Sequence, residues 1–284
     1  MLSRRNLATP GGPAPGQGAA SPKLPPVRTL VVVPTYNEAE NIATVIERVK
    51  KALPEASILI VDDGSPDGTA DLVESLAQPT DEVFVLRRDK KSGLGSAYRA
   101  GFAWGLARDY EACVEMDADL SHDPDALPDL VAPLRLGHEV SIGSRYVPGG
   151  SIPRWPWHRH LLSWGGNRYA SALLGLGVAD STAGYRAYAA SVLRRLDLDA
   201  VRAEGYGFQI EMTFRAKQAG ASIVEVPICF VDRVAGESKM SSAIVVEALG
   251  LVTWWGLGRL VPSFLHPSAR GARQARAVEA PPAP

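Results

Sequence analysis

The run Glu115-Met116-Asp117-Ala118-Asp119-Leu120-Ser121-His122 sets two carboxylates one small residue apart, directly after the apolar stretch 112–114. Two aspartates at that spacing repel each other, and near a sheet their lost hydration is costly unless they share a cation. Magnesium and manganese take hard oxygen ligands of this kind, and a strand continued in period two would point Asp117 and Asp119 the same way. A solvated pair of loop acids is the reading that this motif, taken alone, leaves open. His122 beside the pair reads as a loop histidine rather than a metal ligand.

The elements that must position these acids alternate along the chain. Residues 29–33 form a β-branched apolar run, after which Ile42, Val45, Ile46, Val49 and Leu53 recur at helical spacing. Asn37 with Glu40 three residues on has the form of a capping box for that helix. A second run, 58–61, passes through Asp62-Asp63-Gly64-Ser65-Pro66-Asp67-Gly68-Thr69 into the periodic Ala70, Leu72, Val73 and Leu76. A strand at 83–86, a helix over 95–107, a strand at 112–116, a short helix after Pro124 and a strand at 140–143 continue the series. Repeated βαβ units predict an α/β fold with a mostly parallel central sheet covered by helices on both faces. Such sheets bind ligands at the carboxyl ends of their strands. That rule gathers residues 34–38, Asp62-Asp63, Asp117-Ala118-Asp119 and Gly143-Ser144-Arg145 on one rim.

Composition narrows the classes. With 284 residues, 46% of them hydrophobic, the chain has enough apolar mass for one large core. A formal charge of −1 offers no field for nucleic acid, so no nucleic-acid partner is expected and any anion site must be local. Cys113 and Cys229 sit in apolar runs without metal-ligand spacing, which reads as two buried, reduced thiols and a cytoplasmic compartment. Residues 1–26, rich in Pro, Gly, Ala and Ser, read as a disordered tail without the apolar core of a secretory signal. The domain proper spans 27–240, and 263–284 reads as a disordered basic tail carrying Arg270, Arg273 and Arg276.

Between them lies an amphipathic stretch, 241–262. Its apolar part after Glu247 is about a dozen residues long, short of the roughly 20 that cross a bilayer. An interfacial helix is expected, with Ile244, Val245, Leu249, Val252, Trp255 and Leu257 on a lipid-facing or protein-facing side and Trp254 and Trp255 near the headgroups. Packing of this helix on the core is the alternative. Gly93-Leu94-Gly95 begins like a dinucleotide fingerprint, but Tyr98 occupies the third glycine position, and close packing at a helix start explains it.

Five motifs taken in order carry a resemblance. Pro34-Thr35-Tyr36-Asn37-Glu38, the Asp62 to Thr69 run, Asp117-Ala118-Asp119, Asp180-Ser181-Thr182-Ala183-Gly184-Tyr185-Arg186, and Phe230-Val231-Asp232-Arg233 through Gly236-Glu237-Ser238-Lys239 resemble the family 2 inverting glycosyltransferases. Within them the chain looks like the dolichol- or polyprenol-phosphate mannosyltransferases, over roughly residues 27–260. The resemblance implies a GT-A nucleotide-sugar-binding fold, GDP-mannose as donor, polyprenyl phosphate as acceptor, a Mg2+ or Mn2+ cofactor, and polyprenyl phosphate mannose as the product. It implies donor contacts from Pro34, Tyr36, Glu38, Val61 and Asp63, with Asp117, Ala118 and Asp119 beside the diphosphate and its metal, and Ser121 as a weak further ligand. Arg233 and Lys239 match cations that such enzymes place on the diphosphate from a late loop. Arg145, Arg159 and Ser163 match acceptor-phosphate positions. His158 and His160 stand where lysines are frequent and Trp164 where an arginine is frequent, departures that bear on acceptor affinity and lipid depth.

The chemistry can be weighed separately. Breaking the anomeric C–O bond leaves a diphosphate of growing negative charge, which a metal and fixed cations stabilise, and Asp117, Asp119, Arg233 and Lys239 supply that set. With Arg145, which the resemblance places at the acceptor phosphate, Asp119, Arg233 and Lys239 are the candidate catalytic residues. A phosphate monoester acceptor has a second pKa of about 6 and is already an oxyanion at neutral pH, so it needs holding rather than a general base. Residues 149–167 concentrate Arg, His and Trp, which suit a phosphate at a membrane boundary, although the tryptophans could equally be core. A peripheral enzyme at the cytoplasmic face of a membrane is expected. Relatives that carry transmembrane segments after this domain imply a membrane-anchoring partner protein here. A UDP-glucose-dependent polyprenyl-phosphate glucosyltransferase and a nucleotide-sugar-binding regulatory subunit are the competing readings. Retention of both Asp117 and Asp119 together with Arg233 and Lys239 argues against the second.

Overall fold

The computed structural model describes residues 27–77, 82–231 and 249–257. β1 (Thr29–Thr35) and β2 (Ser57–Asp62) are apolar almost throughout because both faces are covered; Leu30 to Val33 and Ile58 to Val61 are each fully buried. Alternate residues enter different cores. Leu30, Val32, Leu59 and Val61 pack against Tyr98 and Phe102 of α3 (Leu94–Leu106) and against Phe208 and Met212 of α7 (Gly205–Gln218). Val31, Val33, Ile58 and Ile60 pack against Ile42, Val45 and Val49 of α1 (Ile42–Ala52), Val73 of α2 (Thr69–Leu76) and Leu130 of α4 (Leu127–Arg135). Each such side chain contributes about 1.5–3 kcal/mol on burial, so these two layers hold the sheet in place.

Among the described residues the sheet has seven strands in the order β3-β2-β1-β4-β6-β5-β7, where β3 is Val83–Arg87, β4 Ala112–Glu115, β5 Val140–Ser144, β6 Arg186–Ala189 and β7 Ile223–Pro227. Pairing is parallel except at β6, which runs antiparallel to both β4 and β5. The α/β, mostly parallel architecture expected from the alternation is therefore present, with one reversed strand that the alternation did not announce. Two further helices, α5 (Trp157–Leu174) and α6 (Ala190–Arg195), flank β6 in the chain. Register sets the rim: Thr35 lies opposite Asp62, and Val32 opposite Glu115, so Asp117 emerges beside the ends of β1 and β2. α3 approaches β1 closely because a methyl at Gly101 would collide with Val32, and one at Gly105 would lie 2.8 Å from Leu30.

Three local expectations are corrected. The capping box at Asn37 and Glu40 does not form: α1 begins at Ile42 after Asn41, and Asn37 adopts a left-handed φ of 61°. The neighbouring loop takes up the amides here instead, with Asn37 N donating to Ser65 Oγ at 3.0 Å, Glu38 N to Thr69 Oγ1 at 3.1 Å and Ala39 N to Asp67 Oδ2 at 3.0 Å. Burial acts to raise the Asp67 carboxyl, but hydrogen bonds from Thr69 and Ala39 outweigh it and hold it below the usual range. Cys113 is buried as expected whereas Cys229 is exposed, because the chain has left β7 and makes only an isolated bridge to Ser151.

The third concerns the amphipathic stretch, of which 249–257 is described and helical. Val252 is buried and Trp255 stacks on Phe214 at 6.3 Å, while Leu249, Trp254 and Leu257 are exposed. One expected face is thus split between core and surface. Tyr169 of α5 and Thr253 share a hydrogen bond of 2.8 Å, which docks this segment on α5. Among the described residues no helix is long and apolar enough to cross a membrane. The tails 1–26 and 263–284 lie outside the described residues.

Burial pushes the Cys113 thiol up to about 12, so it is neither ionised nor accessible at neutral pH. Maleimide labelling of the native protein is expected to modify Cys229 alone, with Cys113 reacting only after denaturation. Labelling of both in the native state would contradict the packing of α3 on β1 and β4.

Candidate active site

The first wall of the site is the pair of loops after β1 and β2. Thr35 Oγ1 donates to Asp62 Oδ1 at 2.9 Å, and Ser65 donates to the same carboxylate through both its amide and hydroxyl, so Asp62 ties the two loops. Asp63 points elsewhere: Arg88 lies 2.9 Å from Oδ1, and the Ser92 amide donates to Oδ2 at 3.1 Å. The Lys91 ammonium sits 4.2 Å above the ring of Tyr36, a cation–π contact across the same crevice. Glu38 accepts from Asn41 Nδ2. Pro34, Tyr36, Glu38 and Asp63 are thus brought together, while the Val61 side chain is consumed by the core, leaving only its backbone to the rim. Arg88, Lys91 and Ser92 were missed in the sequence, where the only signal was the basic run 87–91.

The second wall is the acid turn. Asp117 keeps 29% of its side chain exposed, and its Oδ1 accepts from the Tyr98 hydroxyl at 3.2 Å. Asp119 Oδ1 accepts from the Ser121 amide at 3.0 Å and hydroxyl at 2.6 Å, with Leu120 between them at a left-handed φ of 61°. Burial, and then the charges of Asp117, Glu115 and Asp119, push the Tyr98 phenol well above its ordinary range, so it stays a donor. Ala118 is buried between the acids. The two carboxylates offer the hard oxygen donors that magnesium or manganese prefer. Among the described residues no group of three His, Cys, Asp or Glu side chains could complete a shell.

The third wall is a cavity of about 80 Å³ between α5, α7 and the segment 249–257. Arg145, Arg159, Ser163 and Thr182 line it together with Leu162, Tyr169, Ala170, Ile210, Leu249 and Val252. The three residues matched by resemblance to an acceptor phosphate thus share one cavity. Arg145 is more committed than the sequence suggested. Its Nε and Nη2 donate to the two oxygens of Asp180 at 2.7 Å each, and Nη2 also to Thr182 Oγ1 at 2.8 Å. Burial acts to raise the Asp180 carboxyl, but Arg145 overrides it and holds the group below the usual carboxylate range. Arg159 lies 3.9 Å over the ring of Trp155, which presents its guanidinium to the cavity. Arg233 and Lys239 lie outside the described residues. Asp180, Thr182 and Tyr98 went unassigned in the sequence, although the run from Asp180 to Arg186 stood out as a motif.

Asp180 carries almost no exposure and Arg145 little, so removing one partner strands a buried charge at a cost of about 3–5 kcal/mol. Asp180→Asn is expected to lower the urea midpoint accordingly, with an unchanged slope. Because the folded carboxyl titrates below its ordinary 3.8, its contribution is complete above that pH and fades as the pH falls further; the Asn variant should lose this acid-side dependence.

Known proteins bear on this geometry. The sequence profile described as glycosyl transferase family 2 matches residues 30–197, the span that holds β1 to β6 and the acid turn. An undecaprenyl-phosphate mannosyltransferase of Micrococcus luteus is 52% identical over 231 residues, covering 81% of this chain and 95% of the relative. A polyprenol monophosphomannose synthase of Mycolicibacterium smegmatis is 50% identical over 257 residues, covering 89% and 97%. Among solved structures, the glucosyl-3-phosphoglycerate synthase of Mycobacterium tuberculosis in complex with Mn2+, UDP-glucose and phosphoglyceric acid superposes with a TM-score of 0.61 at 19% identity, covering 81% of this chain and 80% of that one. At that identity the likeness is one of fold, and it is the GT-A architecture. A matched profile over more than half the chain, together with relatives at half identity along nearly their whole length, means that the chain belongs to glycosyl transferase family 2.

Proposed function

We propose that this protein transfers mannose from GDP-mannose to a polyprenyl phosphate with inversion, giving a lipid-linked mannose donor. The observation that carries the reading is the cavity beside α5, which combines Arg145, Arg159, Ser163 and Thr182 with the apolar Leu162, Ala170, Ile210, Leu249 and Val252. A phosphate on an isoprenoid chain has that division of chemistry. The names of the relatives from Micrococcus luteus and Mycolicibacterium smegmatis support it.

On this reading the guanosine lies in the crevice of Pro34, Tyr36, Glu38, Asp63 and the Val61 backbone. Asp117 and Asp119, with Ser121 behind Asp119, would hold Mg2+ or Mn2+ at the diphosphate. When bound, that ion offsets charge on the departing GDP. Arg159, and Arg145 held by Asp180, orient the acceptor monoester, whose oxyanion attacks the anomeric carbon from the face opposite the leaving diphosphate. A C–O bond to the acceptor forms as the bond to GDP breaks, and no side chain has to remove a proton. Arg233 and Lys239 are assigned to the diphosphate on the sequence alone. Phe230 lies 6.0 Å from both His122 and Trp155, so a single ring separates the acid turn from the cavity wall.

The membrane reading follows from the same side of the molecule. Trp157, Leu161 and Trp164 on α5 and Trp254 and Leu257 on the neighbouring segment are exposed, and α5 carries no acidic residue. Amphipathic rings flanked by Arg154, Arg159 and Arg168 suit a headgroup layer, which supports reading the enzyme as a peripheral protein at the cytoplasmic face of a membrane.

Purified protein offered radiolabelled GDP-mannose or UDP-glucose with a short polyprenyl phosphate should move label into the lipid extract from GDP-mannose. Transfer from UDP-glucose alone, or from neither, would sink the proposal. Asp119→Asn is expected to keep its fold and lose about 10²- to 10³-fold in turnover, the usual effect of removing one fixed electrostatic contact. Arg159→Ala should raise the acceptor KM while the Kd for GDP stays constant; equal losses on both sides would refute the separation of donor and acceptor subsites.

A further inference from the structure

His122, an ordinary loop histidine by sequence, is 4% exposed in the fold. Its ring lies flat on Tyr185, with centroids 4.8 Å apart and planes 9° from parallel, and Phe230 meets it edge-on. Nδ1 is 3.0 Å from the backbone nitrogen of Asp117. An amide can only donate, so Nδ1 accepts, and in a neutral imidazole the proton then resides on Nε2. That nitrogen lies 3.9 Å from Asp117 Oδ2, the oxygen opposite the one bonded to Tyr98. The bond also closes the turn across Leu120, whose left-handed backbone is uncommon for a residue with a side chain of that size.

We infer that His122 is a positioning residue for the acid turn. It fixes the Asp117 peptide through Nδ1, sets its Nε2–H beside the Asp117 carboxylate, and so holds that group in the orientation needed for a divalent cation. The Tyr185 hydroxyl donates to the Asp123 carbonyl at 3.0 Å, which anchors the ring beneath the imidazole to the far end of the same turn. Gly184 packs against the imidazole edge, where a Cβ would lie 3.5 Å from Cε1. The ring is therefore confined on its face and its edges, and its tautomer is set by the amide. This inference rests on the reading that Asp117 and Asp119 hold the metal.

The test compares His122→Phe, which keeps a ring on Tyr185 but has no acceptor, with His122→Asn, whose side-chain oxygen can reach the Nδ1 position. Mn2+ affinity in the presence of GDP is read by electron paramagnetic resonance, and exchange of the Asp117 amide hydrogen is followed without metal or nucleotide. Loss of an outer-shell partner typically costs 10- to 100-fold in metal affinity, and His122→Phe should show about that loss with faster Asp117 exchange. His122→Asn should recover most of the affinity and the slow exchange. Wild-type affinity in His122→Phe, or equal losses in the two variants, would overturn the inference. A wild-type protein that binds no Mn2+ with GDP present would instead refute the metal reading beneath it. The exchange measurement separates the two failures, because it reads the clamp alone.

Discussion

A buried guanidinium holds both halves of the site. Arg186 begins β6, is wholly inaccessible to solvent, and stands opposite Glu115 of β4. Removing such a charge from water costs several kcal/mol, which only a full set of acceptors can offset. The set is present: Nε donates to the Ala183 carbonyl, Nη2 to Ser181, and Nη1 to the Gln209 carbonyl and Thr213 Oγ1. Gln209 in turn donates to Glu115 at 2.6 Å. Burial pushes the Glu115 carboxyl up to about 8 against the pull of Arg186 and Gln209, so carbonyl oxygens rather than a full counter-charge carry much of the compensation. Through these bonds the loop that bears Asp180 and Thr182 is fastened to α7 and to the strand that leads into Asp117. The cavity beside α5 and the acid turn are positioned by one group.

This arrangement explains which parts of the fold were legible in the sequence. β1 and β2 read clearly because double burial enforces continuous apolar runs, and α1 because one of its faces alone is buried. β6 did not, since Arg186-Ala187-Tyr188-Ala189 has no such run and owes its place to a polar network whose partners lie up to 27 residues away. The capping box at Asn37 failed for a related reason: a local pattern was outcompeted by acceptors from the next loop. Cys229 misled because an apolar neighbourhood in sequence does not specify which side of an isolated bridge faces water.

Legibility of the site divides along the same line. The acids at 117 and 119 are recognisable because their chemistry is concentrated in consecutive residues. The groups that orient them are distant, Tyr98 being 19 residues from Asp117. Arg145 was legible as a cation but not as half of a buried pair, since Asp180 is 35 residues on. The sequence leaves the tryptophans around 155–164 open between core and interface, and the fold divides them: Trp155 lines the cavity, while Trp157 and Trp164 face outward.

The hydrogen bonds from Asn37, Glu38 and Ala39 to Ser65, Asp67 and Thr69 have a consequence for how such sequences can be recombined. Donors and acceptors lie on different βα units, so neither loop is satisfied without its own counterpart. A chimera joined between β1 and β2 would pair amides from one parent with side chains from another and strand whichever did not match. The two loops are therefore a single heritable module, and moving this part of the rim from one family member to another requires moving residues 36–69 as a block.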